Sequence, residues 1–391
     1  MTDTVILSGS RTPIGSYLGG LASLSAPELG AISIRCALER AGVKATDVDE
    51  VFMGNVVQAG VGQAPARQAS IGAGIPESVP CTTVNKVCGS GLKSVMLASS
   101  QIKAGESGLV VAGGMESMSN APYLLRGART GLRLGEQMME DANMRDGLVD
   151  AYGHGPMGLC AEGTADECGL SREEQDQFAL RSYEKALRAQ REGAFGAEIV
   201  PVKVKGRRGE ETVISADETP RPTSIEALRA LRPAFKGNGT VTAGNASKVN
   251  DGGATVVVAS VERARELGAS PIARVVAQAQ FAREPQSFLL APIGALKGVL
   301  AKAGWTVADT DLFEVNEAFS GIECARREVG IPEEKFNVNG GAVALGHPIG
   351  ASGARLLVTL LYALRARGLH RGIASLCIGG GEAVALAVEL L

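Results

Sequence analysis

Val84-Asn85-Lys86-Val87-Cys88-Gly89-Ser90-Gly91-Leu92-Lys93-Ser94-Val95-Met96-Leu97-Ala98 is the stretch on which the reading of this chain turns. From Ser90 onward it is small and apolar nearly all round, the pattern of a helix enclosed on every side. Cys88 stands just before that helix, where unpaired amides and the positive end of the dipole favour a thiolate. Gly89 and Gly91 let a substrate carbonyl approach the backbone amides. A packed structural cysteine is the competing reading of position 88. The pattern then returns: Ser352-Gly353 opens a second apolar helix, 262 residues after Ser90-Gly91.

Other matches keep the same order and nearly the same offset. Ala37-Leu38-Glu39-Arg40-Ala41-Gly42 resembles Val299-Leu300-Ala301-Lys302-Ala303-Gly304, and Asp49 to Asn55 resembles Asp311 to Asn316. An apolar run into Gly113-Gly114 matches one into Gly379-Gly380. Such ordered self-similarity indicates two like halves. Each reads helix, strand, Gly/Ser-rich loop, buried helix, strand, glycine turn. Short apolar runs at 51–53, 109–112, 311–315 and 373–378 predict a mostly parallel sheet covered on both faces. A chain of 391 residues also exceeds what one core usually fills. The expected architecture is therefore α/β and duplicated. Residues 1–119 plus 250–270 form one half, 271–391 the other, and 120–249 an inserted domain. The insert carries a helix from Ser171 to Glu192, opened by a Ser171/Glu174 capping box. The charged side chains of that helix, Asp176 among them, predict a solvent face. A basic stretch, Lys203 to Lys236, has eight Lys/Arg against five Asp/Glu.

Composition narrows the function classes. A net charge of −3 argues against a nucleic-acid or anionic-membrane partner. Seven cysteines include no CxxC pair, and three histidines cannot build a zinc site, so no metal is expected. Free buried thiols in a reducing compartment are the plain reading of most of the cysteines. No segment reaches the ~20 apolar residues of a membrane span, so no membrane insertion is expected. The N-terminus runs into a strand-like segment without a basic, apolar leader, and the C-terminus has no peroxisomal signal. The expected location is cytoplasmic.

Two further glycine-rich motifs carry candidate chemistry. His347 lies in Gly340-Gly341-Ala342-Val343-Ala344-Leu345-Gly346-His347-Pro348-Ile349-Gly350. Packing of the halves about a two-fold would bring both helix N-termini together, so that Cys88 meets His347 from 259 residues away. Cys377 ends an apolar strand before Gly379-Gly380-Gly381, where a core thiol is the stronger reading of the residue taken alone. Asn316 closes another strand and suits either a cap or the holding of a water or oxyanion. A nucleophile, a base and a second thiol together fit carbon–carbon bond chemistry on thioesters better than peptide hydrolysis.

With these motifs, the chain resembles the thiolases. The resemblance spans nearly the whole length. It includes Ser10 to Gly15, Met53 to Gly60, Gly62 to Gln68, Asn85 to Gly91, Gly113 to Ser119, Thr242 to Ser247, Asn316 to Phe319, Gly340 to Gly353 and Cys377 to Gly381. It implies a duplicated five-layered α-β-α-β-α fold with a loop domain covering the coenzyme A site. It implies an acetyl-CoA C-acetyltransferase, joining two acetyl-CoA into acetoacetyl-CoA and CoA. A broad 3-ketoacyl-CoA thiolase of β-oxidation and a non-catalytic thiolase-like subunit are the alternatives. By resemblance Cys88 carries the acyl group, His347 takes its proton, and Cys377 moves the α-carbon proton. One oxyanion hole would use His347 and a water on Asn316, the other the backbone N–H groups of Cys88 and Gly380. Arg221 and Ser247 would contact CoA, and Met157, Phe235, Phe288 and Phe319 would wall the acyl pocket. No covalently bound cofactor is implied. Three departures are visible: Pro156 stands where the family often has His, leaving His154 as a possible substitute, and a frequent serine of the nucleotide region is replaced near Ala227. Phe288 to Ile293 resembles potassium-stimulated members, which implies a monovalent cation effect. A homodimer or homotetramer is implied, with 124–135 as a tetramer contact.

Overall fold

The computed structural model describes residues 3–206 and 209–391. Met1, Thr2 and, within the basic stretch, Arg207 and Arg208 lie outside the described residues. In the first half β1 (Thr4–Arg11), α1 (Ala26–Ala41), β2 (Glu50–Gly54), β3 (Cys81–Val84), α2 (Ser90–Ala104) and β4 (Leu109–Ser117) follow one another. The insert holds α3 (Met157–Cys168) and α4 (Arg172–Arg191), and β5 (Asn250–Ser260) completes the first sheet. The second half repeats the order apart from β3, with α6 matching a first-half helix at Pro65–Gly72: β6 (Ala273–Ala282), α5 (Ala291–Ala303), β7 (Leu312–Val315), α6 (Glu323–Val329), α7 (Ile349–Arg367), β8 (Arg371–Ile378) and β9 (Glu382–Leu390).

The repeat extends to single hydrogen bonds. Asp49 accepts the backbone N–H groups of Gly108 and Leu109, and Asp311 accepts those of His370 and Arg371. Parallel pairing starts at Glu50 with Val110 and at Leu312 with Gly372. Helices α1 and α5 both end on a left-handed glycine, Gly42 and Gly304. The strands run β7-β8-β9-β6-β1-β5-β4-β2-β3, and only two residue pairs join β1 to β6 at the centre. The sheet is mixed rather than mostly parallel. Each half has one strand running against the rest, β5 in one and β9 in the other, and the antiparallel pairs these make with β1 and β4, and with β6 and β8, are the longest.

Side-chain alternation builds the layers. On β9, Val384, Leu386 and Val388 face inward, onto α2 and α7, while Ala383, Ala385 and Ala387 face α5. On β5, Val256 and Val258 face inward, and Val257 and Ala259 pack toward α1. The result is helix, sheet, central helix pair, sheet, helix. The central pair crosses where a Cβ on Gly91 would lie 2.7 Å from the Ala354 nitrogen. Reciprocally, a Cβ on Gly353 would collide with the Leu92 nitrogen. These are equivalent positions in the two halves, so the crossing is two-fold in form. Helix α7 is the one described helix long and apolar enough to cross a membrane, and it is the buried core helix.

Insert and sheet are pinned by a buried ion network. Arg11 on β1 bonds Glu198 at 2.6 Å and Asp217 through both terminal nitrogens at 2.7 and 2.9 Å. Helix α4 has the capping box read from Ser171 and Glu174. Its Asp176, however, is fully buried rather than solvated. It pairs with Arg172 and accepts from Asn245, anchoring the segment that leads to Ser247.

Candidate active site

Cys88 precedes α2 on a strained turn. Val87 has φ +45°, a left-handed conformation that costs a β-branched residue about 1–2 kcal/mol. The turn is held because Asn85 Oδ1 accepts the Val87 N–H at 3.1 Å and Ser90 Oγ donates to the Val87 carbonyl at 2.6 Å. Burial pushes the Cys88 thiol up to about 11, against the opposing pull of the Gly379 N–H and its own amide. Cys88 therefore rests as a thiol. The helix terminus alone does not make the thiolate expected from its position, because desolvation outweighs it.

His347 is fully enclosed, and burial, with Arg355 second, lowers its pKa to about 3, so the imidazole is neutral. Ser352 Oγ gives its hydrogen to the Pro348 carbonyl at 2.8 Å and so accepts from His347 Nδ1–H at 2.5 Å. That network assigns the proton to Nδ1 and leaves the Nε2 lone pair free. The Asn316 amide stands 3.5 Å from Nε2, and its Oδ1 is buried without a hydrogen-bond partner in the protein.

Cys88 and His347 open on one cavity of about 270 Å³. Met157, Ser247, Phe235, Phe288 and Phe319 line it too. Phe319 meets Phe235 and Phe288 edge to face, with centroids 6.1 and 6.2 Å apart, so three rings close one side. Cys377 is buried in the cluster behind Met157 and Phe288. Burial first, and then Cys88, raise its pKa well above the ordinary thiol value, while the Ala318 N–H opposes. Arg221 is outside this cavity. It lines an adjoining one of about 310 Å³, which shares Lys248 and Val249 with the first. His154 turns away onto Asp150, 2.8 Å from its Nδ1, and Pro156 takes the place on the cavity wall.

The chain matches the thiolase N-terminal domain over residues 4–262 and the thiolase C-terminal domain over 269–390. The chain belongs to the thiolase family. It is 51% identical over 391 residues to an acetyl-CoA acetyltransferase of Cupriavidus necator, covering all of both chains. It is 48% identical to a probable acetyl-CoA acyltransferase of Staphylococcus aureus, over all of this chain and 99% of that one. A crystal structure of the Bacillus anthracis acetyl-CoA acetyltransferase superposes with a TM-score of 0.98 at 42% identity, covering 100% of this chain and 99% of that one. Relatives matched end to end at this level make the protein an acyltransferase.

In this thiolase the residue whose N–H faces the Cys88 sulfur is Gly379, one position before the expected Gly380. Gly380 has φ +91° and is not on the cavity wall. In a run of three glycines the sequence holds nothing to separate neighbours; only the end of β8 at Ile378 fixes which amide points inward. Three further residues escaped the sequence reading. Ser352 fixes the histidine tautomer, and its signal was its place one helical turn after Pro348. Glu116 accepts N–H groups from Val56, Val57 and Gly350, tying the end of β2 to the start of α7; burial raises its pKa to about 7. Lys248 is a half-buried amine beside Ser247, its pKa lowered to about 7 by burial and then by Arg221.

Proposed function

We propose that this thiolase is an acetyl-CoA C-acetyltransferase, reversibly condensing two acetyl-CoA into acetoacetyl-CoA and CoA. The observation that carries the reading is the convergence of Cys88 and the free Nε2 of His347 on one small cavity backed by Cys377. His347 takes the Cys88 proton as sulfur attacks the first thioester. The CoA thiolate leaves with a proton from Cys377, a thiol at rest, and an acetyl group stays on Cys88. The Cys377 thiolate then removes an α-proton from the second acetyl-CoA. Its enolate oxygen is met by the protonated Nε2 of His347 and a water on Asn316. The carbanion attacks the acetyl-Cys88 carbonyl, whose oxyanion is met by the N–H groups of Cys88 and Gly379. Collapse returns the His347 proton to Cys88, so every proton is accounted for.

Ser247 and Arg221 are the proposed CoA contacts, and the three phenylalanines with Met157 limit the acyl chain. A cytoplasmic location belongs to the same proposal, and the seven free cysteines suit it. So does a homodimer or homotetramer; exposed Leu125, Leu132 and Leu134 suit a contact at 124–135. A monomeric mass in solution would reject that assembly.

The test is thiolysis by the purified protein with free CoA, comparing acetoacetyl-CoA with a long-chain 3-ketoacyl-CoA. Strong preference for acetoacetyl-CoA is expected. Equal or faster turnover of the long chain would make it a broad degradative thiolase. No turnover of either would make it a non-catalytic member.

A further inference from the structure

A monovalent cation near the site would need a shell of oxygens. Three converge at the wall shared by the two cavities, and they are taken. Lys248 Nζ donates to Tyr183 Oη at 2.5 Å and to the carbonyls of Ala246 and Val343 at 2.9 Å each. The ammonium also lies 5.1 Å from the Tyr183 ring centroid. An ammonium has three donors, and here all are used. The residues around this point therefore do not fit an added cation: the Lys248 nitrogen holds its place, and the Arg221 guanidinium, which also bonds Tyr183, would repel it.

The three acceptors belong to separate segments. Tyr183 is on α4 of the insert, Ala246 is in the loop before β5, and Val343 is in the one-turn helix Ala342–Leu345 of the glycine-rich motif that carries His347. The backbone of Lys248 joins the same junction, its carbonyl accepting the His347 N–H at 3.2 Å. We infer that the Lys248 amine is a built-in substitute for a monovalent cation, a positioning residue that fills the oxygen shell, ties these segments around His347 and makes the enzyme independent of potassium.

The activity readout rests on the acetyltransferase reading, whereas the thermal readout does not. Wild-type protein is assayed for thiolysis and thermal midpoint in potassium chloride and in choline chloride at equal ionic strength. Both quantities are expected to be unchanged. Lys248→Gly opens the oxygen shell. In choline it should show a lower midpoint and a KM for acetoacetyl-CoA raised several-fold, with potassium restoring both. Stimulation of the wild type by potassium would overturn the inference without any variant. Equal behaviour of Lys248→Gly in the two salts would overturn it as well. If that variant does not fold, Lys248→Met keeps the stem without the charge. Wild-type KM in Lys248→Met in choline would then refute the positioning role. Loss of activity in the wild type in both salts, with salt-independent midpoints, would count against the proposed activity and not against the built-in substitute.

Discussion

At the scale of single residues, the site is a set of neutral groups waiting for substrate. Cys88 is held up near 11 and His347 down near 3 by the same cause, burial, so no thiolate–imidazolium pair exists at rest. Alkylation of Cys88 by iodoacetamide should consequently quicken about tenfold per pH unit between about pH 7 and 10. Peptide mapping of the labelled site checks this, and a plateau starting near pH 7 would mean a preformed thiolate. Cys377→Ala should slow condensation and proton exchange at acetyl-CoA by roughly a hundredfold or more, the scale of a lost general base. Its effect on Cys88 alkylation should be slight. Equal losses in both assays would make Cys377 a packing residue. That Cys88, His347 and Cys377 come together was legible because each stands in a glycine-rich motif at the end of an element. The ionisation state was not, since it follows from desolvation by residues far away in sequence. The choice between Gly379 and Gly380 needed the strand end itself.

At the scale of elements, the insert is fastened to the sheet by charge. Arg11 is almost wholly enclosed with Glu198 and Asp217, and Glu198 also accepts from Thr359 on α7. Removing the arginine strands two buried carboxylates. Arg11→Ala should cost about 3–5 kcal/mol, read from the first transition in urea unfolding. A shift under 1 kcal/mol would mean that water replaces the guanidinium. The resemblance quoted Arg11 within a motif, yet no spacing could pair it with residues some two hundred positions on. Capping chemistry, by contrast, is local, which is why α4 was readable to within a residue of each end. Asp176 on the same helix was misread because a carboxylate's ordinary place is in water. The four apolar runs read as parallel strands do pair that way, and the reversed strands were missed for a related reason: β5 and β9 have the same apolar pattern whichever way they run.

The whole molecule is two copies of one pattern closed on each other, and periodic matches at a constant offset made that visible. The closeness of the closure rests on Gly91 and Gly353. A methyl group at Gly353 would collide with the backbone of α2, so Gly353→Ala must part the central helices. A loss of about 1–3 kcal/mol is expected from such overpacking. A displacement near 1 Å between Cys88 and His347 would also lower kcat about a hundredfold. Stopped-flow acylation and thermal unfolding check the two effects, and wild-type kcat would show that the helices do not set the catalytic distance. The reciprocal contact, 91 on 354 and 353 on 92, has the form of an isologous subunit interface. Here both faces lie on one continuous polypeptide. Bringing Cys88 and His347 together is thus a unimolecular event, governed by effective rather than bulk concentration. Dilution cannot separate the two halves, whatever it does to the assembly of whole chains.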